Sequence, residues 1–256
     1  MSSDSEFSGK SVLITGAGGG LGRALVAIFN EGGARVVGCD QYIEAMDGLD
    51  LAGRHSFDLT DRPGLATAAR KLVEADGVPD IVINNAGWTR AETVPALTQE
   101  RVETEIDLNL TGVASLTNAL LKPMVTRGAG CFVFISSVNA LSHFGNPAYA
   151  AAKAGINALS RAIAVEHGRQ GIRANVVCPG SIRTPAWDHR LAKDPAILGK
   201  LQRLYPLGRI VNAREVAEAV AFLASSRASG ITGTVLPVDA GLTAGCLPFI
   251  DDILGA

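Results

Sequence analysis

Short apolar runs rich in β-branched residues alternate along this chain with longer stretches of helical period, and that alternation leaves few architectures open. The runs are Ser11–Thr15, Arg35–Cys39, Ile81–Asn84, Cys131–Ile135, Ile172–Val177 and Thr234–Val238. Most are apolar throughout rather than at every second residue, the pattern of a strand covered on both faces. Helical period fills about 21–31, 62–75, 98–126, 148–167 and 212–224 between them. Asn212, with Glu215 three positions on, reads as a capping-box start for the last of these. Strand and helix taking turns without a break in composition predict an α/β fold: one domain over 1–256, a doubly wound parallel sheet with helices on both faces. Prolines, Trp187, Tyr205 and several charges interrupt the rhythm over about 181–210, which reads as a substrate loop or short helices laid over the sheet edge.

Charge and cysteine usage remove several function classes. With 23 basic against 25 acidic side chains, nothing draws the chain electrostatically to nucleic acid or an anionic membrane. No stretch approaches the roughly 18 apolar residues of a membrane span, and the opening MSSDSEFSGK lacks the apolar core of a secretory signal. Cys39, Cys131, Cys178 and Cys246 lie far apart with no Cys-x-x-Cys or Cys/His cluster. Neither a disulfide framework nor a metal site is expected, and the expected location is cytoplasmic.

The glycine-rich run Thr15-Gly-Ala-Gly-Gly-Gly-Leu-Gly-Arg23 follows the first strand and opens a helix. A turn of that kind aims backbone N–H groups and a helix N-terminus at a phosphate, and glycines let the backbone come close. Gly-x-Gly-x-x-Gly fails here, because its third position is Leu21 or Arg23. Two other spacings hold, Gly16/Gly20/Gly22 and Gly16/Gly19/Gly22. Asp40 ends the second strand, where a carboxylate binds the adenosine ribose hydroxyls and repels a 2′-phosphate. No basic residue occurs among Ala17–Gly19, and Gln41 follows Asp40. NAD is favoured over NADP.

Of the 3 tyrosines, Tyr149 has Lys153 one helical turn away, so the two side chains share a face. An ammonium beside a phenol stabilises the phenolate and makes the tyrosine a usable acid or base. Ser136 and Ser137 end the strand before it, at the edge where open α/β sheets bind ligands.

In these residues the chain resembles the short-chain dehydrogenase/reductase family. The matching residues are Thr15-Gly16-x-x-x-Gly20-x-Gly22, Asp58-Leu59 after a third strand, Asn84-Asn85-Ala86-Gly87, Asn109, Ser137, Tyr149-x-x-x-Lys153 and Pro179-Gly180-Ser181-Ile182-x-Thr184. They run in family order from residue 15 to about 241, and they select the Gly16/Gly20/Gly22 spacing. The resemblance implies a Rossmann-like fold and a role for each match. Tyr149 would be the acid/base, Lys153 would lower its pKa and hold the nicotinamide ribose, and Ser137 would bind the substrate oxygen. Asn109, inside the long fourth helix, would position a proton-relaying water. Gly16, Leu21 and Gly22 would line the pyrophosphate, Asp40 the ribose, Asp58 and Leu59 the adenine, and Asn85, Ala86 and Gly87 the adenosine half. Pro179, Ile182 and Thr184 would hold the nicotinamide. In two places the chain departs from the family: Ser137 precedes the tyrosine by 12 residues rather than 13, which would select Ser136, and Asp239-Ala240-Gly241 stands where Asp-Gly-Gly is usual. The local string Ser-Ser-Val-Asn-Ala favours Ser137, and alanine is a small change.

The expected function is an NAD-dependent oxidoreductase acting on a secondary alcohol or ketone: a polyol, sugar, hydroxy acid or 3-oxoacyl chain. An NADPH-dependent 3-oxoacyl thioester reductase is the alternative, and a non-catalytic dinucleotide-binding protein a more distant one. Trp88, Asn139–Phe144 (with His143), Trp187 and His189 are free to shape the substrate pocket. By resemblance a homo-oligomer, tetramer or dimer, is expected, with the apolar tail Cys246–Ile250 as a candidate contact.

Overall fold

The computed structural model describes residues 5–184, 192 and 194–255. Its strands, in chain order, are β1 (Ser11–Thr15), β2 (Arg35–Asp40), β3 (Gly53–Ser56), β4 (Ile81–Asn84), β5 (Gly130–Ile135), β6 (Ile172–Pro179), β7 (Ile182–Arg183), β8 (Val211–Asn212) and β9 (Val235–Val238). All but β7 and β8 form one parallel 7-stranded sheet in the order β3-β2-β1-β4-β5-β6-β9, and β7 pairs with β8 outside it. The helices are α1 (Gly20–Glu31), α2 (Arg62–Asp76), α3 (Gln99–Ile106), α4 (Gly112–Arg127), α5 (Pro147–His167), α6 (Ile197–Gln202) and α7 (Ala213–Ala224).

The continuous apolarity of the strands has a direct cause. Val12 and Ile14 of β1 pack with Leu25 and Phe29 of α1 and Val216 and Val220 of α7 on one face. Leu13, between them, packs on the other face with Leu65 and Leu72 of α2, Leu116 and Leu120 of α4 and Ile156 of α5. β5 divides the same way, Val133 to the first core and Phe132 and Phe134 to the second. Successive side chains of a strand point to opposite faces, so a sheet covered twice needs an apolar residue at every position.

Two elements differ from the sequence pattern. The edge strand β3 is Gly-Arg-His-Ser, and no apolar run announces it because Arg54 and Ser56 are exposed. The window 98–126 is a helix interrupted at Asp107–Thr111 by a π-helical segment, so Asn109 sits in a widened turn rather than in a regular helix. The α7 start is the expected capping box: Glu215 N donates to Asn212 Oδ1 and Asn212 N to Glu215 Oε2, each at 2.9 Å.

The chain steps outward from β1 to β3, then returns to place β4 on the other side of β1. A crevice opens beyond the carboxyl ends of β1 and β4, where such sheets bind ligands. At the far end of the sheet, Ala240 adopts φ 52°, a left-handed conformation that crowds its Cβ. The alanine is therefore a larger change than its size suggests. Replacing Ala240 by Gly should stabilise the protein by about 1 kcal/mol, or about 2–4 °C in Tm; an unchanged or lowered Tm in a thermal melt would show the turn to be unstrained.

Candidate active site

The crevice holds a groove of 580 Å³ lined by Gly16, Leu21, Gly22, Asp40, Asp58, Leu59, Asn85, Ala86 and Gly87, each of them expected from the sequence. Glycines shape its floor. Gly16 has φ +63°, and a Cβ on it would lie 2.9 Å from the Ala86 Cα. A Cβ on Gly22 would run into the Gly16 and Ala17 carbonyl oxygens. The α1 N-terminus has Gly19 as its cap, with no side-chain capping bond and no acidic residue in the first turn. Its N–H groups thus face the groove free to meet an anion.

The adenosine-facing end, as the sequence assigns it, is acidic. Asp40 accepts from Gly18 N at 2.9 Å and Gln41 N at 2.8 Å. Asp58 accepts from Thr60 N and Thr60 Oγ1, each at 2.7 Å, and from Gln41 Nε2 at 2.9 Å. The Thr60 backbone bond, seconded by its hydroxyl, holds the Asp58 carboxyl below its ordinary range. No lysine or arginine lines the groove among the described residues. Arg23 turns instead to the carbonyl oxygens of Gly18 and Ala45, at 3.0 and 2.6 Å.

Farther along the same sheet edge, Tyr149, Lys153, Ser137 and Asn109 come together. The Ser137 hydroxyl lies close enough to the Tyr149 phenol to favour its ionised form, while its Oγ accepts from Asn139 N at 3.2 Å. Ser136 Oγ instead donates to the Lys153 carbonyl at 3.1 Å. Lys153, 3% exposed, lies with Nζ 5.6 Å from the centre of the Tyr149 ring and donates to the Ile135 carbonyl at 2.9 Å. Asn109 is fully buried, and its Nδ2 donates to the Trp88 carbonyl at 2.9 Å. Pro179 ends β6 on this edge and Ile182 opens β7, with half-buried Thr184 just beyond. These three lie outside the lining of the groove. Trp187 and His189 lie outside the described residues, and His143 is exposed.

Burial dominates the electrostatics of the pair. It pushes the Lys153 ammonium down to about 8 and the Tyr149 phenol up to about 12, against the opposing pull of the nearby Ser137 hydroxyl. The lysine was expected to draw the phenol towards neutrality; in the free protein, removal of the phenolate from water instead sets the direction of the shift.

Comparison with known proteins fits this geometry. Residues 16–243 match a family model described as enoyl-(acyl carrier protein) reductase. An uncharacterized oxidoreductase of Schizosaccharomyces pombe is 41% identical over 246 residues, 96% of this chain and 95% of the relative. A solved oxidoreductase of the short chain dehydrogenase/reductase family from Burkholderia thailandensis has TM-score 0.88 at 38% identity, over 96% of this chain and 98% of that one. The chain belongs to the short-chain dehydrogenase/reductase family.

Other family members differ in substrate. A 3-oxoacyl-[acyl-carrier-protein] reductase of Thermotoga maritima is 36% identical over 247 residues, 91% of this chain and 98% of the relative. A gluconate 5-dehydrogenase from Burkholderia cenocepacia, solved with NADP and tartrate, has TM-score 0.86 at 30% identity, over 94% of this chain and 98% of that one. As a short-chain dehydrogenase/reductase the protein is an oxidoreductase that binds a nicotinamide dinucleotide and acts on alcohol or keto groups of small molecules.

Sequence reasoning left out Thr104 and Leu108, which also line the groove. Their spacing puts them on one helical face, but a threonine and a leucine there read as ordinary packing. It also missed Glu105, a carboxylate only 5% exposed. Among the glycines, Gly22 offers the sharpest test of the groove. Gly22→Ala should displace the loop and weaken NAD binding at least about tenfold, or about 1.4 kcal/mol, in a fluorescence titration reported by Trp88. Unchanged affinity would mean that the loop does not hold the dinucleotide.

Proposed function

We propose that the protein is an NAD-dependent dehydrogenase or reductase of secondary alcohols and ketones in which Tyr149 is the acid/base. The observation that carries this reading is the Tyr149 phenol with buried Lys153 beside its ring, Nζ 5.6 Å from the ring centre, and Ser137 close by. Ser137 would orient or polarise the substrate oxygen, and Tyr149 would exchange a proton with it. Lys153 would hold positive charge near the phenol, and Asn109 would carry the proton route onward from Lys153.

The groove fits a dinucleotide: the surfaces at Gly16 and Gly22 have no space for a Cβ, and the first turn of α1 lacks a capping partner. Gly16, Leu21 and Gly22 would meet its pyrophosphate, Asp40 a ribose, Asp58 and Leu59 the adenine, and Asn85, Ala86 and Gly87 the adenosine half. Pro179, Ile182 and Thr184 would hold the nicotinamide, and Tyr149 and Lys153 its ribose. When bound, the dinucleotide supplies or takes up the hydride.

NAD is preferred because Asp40 and Asp58 line the groove and no lysine or arginine does among the described residues. Two unit charges about 4 Å apart repel by about 4 kcal/mol at an effective dielectric of 20, so even a well-screened 2′-phosphate should weaken binding tenfold or more. Titrating both dinucleotides tests this, and tighter NADP binding would overturn the preference. The alternative, an NADPH-dependent 3-oxoacyl thioester reductase, draws on the Thermotoga relative but leaves its 2′-phosphate facing Asp40. A non-catalytic dinucleotide-binding protein would have no use for a buried lysine beside a tyrosine. The exposed Phe249, Ile250, Ile253 and Leu254 suit a homo-oligomer, dimer or tetramer, in the cytoplasm.

Tyr149→Phe should abolish turnover of a polyol, sugar-acid and acyl-ketone panel while NAD titration stays unchanged; retained turnover would remove Tyr149 from the chemistry. In the parent enzyme, alcohol oxidation should rise with pH, because the phenol must first lose its proton. Ketone reduction, which uses the protonated phenol, should fall at high pH, and initial rates in both directions check the opposite signs.

A further inference from the structure

Glu105 has no part in the machinery just described, yet it is buried against it. Its Oε2 accepts from Asn109 Nδ2 at 2.9 Å, and its Oε1 accepts from Thr89 Oγ1 at 3.0 Å. Asn109 Nδ2 also donates to the Glu105 and Trp88 carbonyl oxygens, at 3.1 and 2.9 Å. Three acceptors therefore surround one nitrogen, and they fix which end of the amide is which, because the reverse orientation would set Oδ1 against all three.

The other end of Asn109 points towards the lysine. A Cβ on Gly87 would lie 2.8 Å from Asn109 Oδ1 and 3.1 Å from Lys153 Nζ, so the two atoms flank the same small space. Asn109 Oδ1 is buried and has no donor among the described residues, while Lys153 uses one of its N–H groups on Ile135. Glu105 also lines a second cavity of 240 Å³, which shares Trp88 and Thr104 with the groove.

We propose that Glu105 is a positioning residue: it holds the Asn109 amide with its carbonyl oxygen towards Lys153 and sets a negative charge behind the Tyr149–Lys153 pair. The proposal rests on the assigned role of Tyr149. The charges facing Glu105 are Arg90 and Glu92 from the segment after β4, Glu100 and Arg101 from α3, and Tyr149 and Lys153 from α5. Arg101 is paired with Glu92 at 3.1 Å, and Arg90 stacks on Trp88 with its guanidinium carbon 5.2 Å from the ring centre. The Glu105 charge raises the pKa of Tyr149 and of Lys153 alike. Glutamine at this position keeps the shape but loses the charge, and its NH₂ group cannot accept from both sides.

The test combines Glu105→Gln, Glu105→Ala, Asn109→Ala and the Glu105→Ala/Asn109→Ala double variant, each compared for NAD affinity and melting temperature. Glu105→Ala should lower kcat about tenfold with little change in NAD affinity, and the double variant should be no slower than Asn109→Ala alone. Glu105→Gln, which preserves packing, should move the pH limb of alcohol oxidation down by about one unit, since loss of the negative charge eases proton loss from the pair. Additive kcat losses, or a Glu105→Gln profile that does not move, would overturn the proposal and leave the Tyr149 assignment standing. Retained turnover in Tyr149→Phe would remove both.

Discussion

The carboxyl ends of β1 and β4 are stitched together by one hydroxyl and one amide, and the rest of the site hangs from that seam. Thr15 Oγ1 accepts from Asn85 N and Ala86 N, each at 3.0 Å, while Asn85 Nδ2 donates to the Thr15 and Gly16 carbonyls at 2.9 and 3.0 Å. The seam brings the Ala86 backbone so near Gly16 that only glycine fits there. It also fixes the course of Gly87 and Trp88, and the Trp88 carbonyl in turn holds Asn109. A hydrogen-bonded path thus runs from the glycine-rich loop to the residues around Lys153. Displacement at either end would be felt at the other, because packed interiors transmit strain.

Electrostatics divides the site into two regions with different needs. The end bearing Asp40 and Asp58 is open, and its carboxylates are satisfied by backbone and side-chain donors. There, on the proposed reading, the fixed negative charge would discriminate between ligands. Around Lys153 the surroundings are buried, and the Glu105 carboxylate raises the proton affinity of both members of the pair. There burial sets the proton affinities, driving phenol and ammonium towards their neutral forms. A pair held this way responds strongly to any further charge brought beside it, which is what an acid/base that must change hands during a reaction requires.

Much of this was legible in the sequence because the responsible forces are local. A strand buried on both faces must be apolar throughout, so β1, β4 and β5 announce themselves; β3, a polar edge strand, does not. The Tyr149–Lys153 pair is visible because four residues make one helical turn. The choice between Ser136 and Ser137 depends on which way the chain turns as it leaves β5, and counting residues could not decide it. Glu105 was hidden for a related reason: on an amphipathic helix a glutamate reads as solvent-facing, and only the π-helical turn and the packing against α5 bring it inside. Ala240 was under-read because a composition change says nothing of φ.

Burial holds the Tyr149 phenol protonated, and in the proposed reaction positive charge at the site would release its proton. Carbon-13 NMR of labelled tyrosine reads this directly, since Tyr42, Tyr149 and Tyr205 are the whole set. In the free protein the Tyr149 resonance should titrate up near about 12. With NAD bound, its transition should move down by a unit or more, as an added nearby positive charge requires. A Tyr149 transition that stays at its free-protein value in the NAD complex would contradict the account.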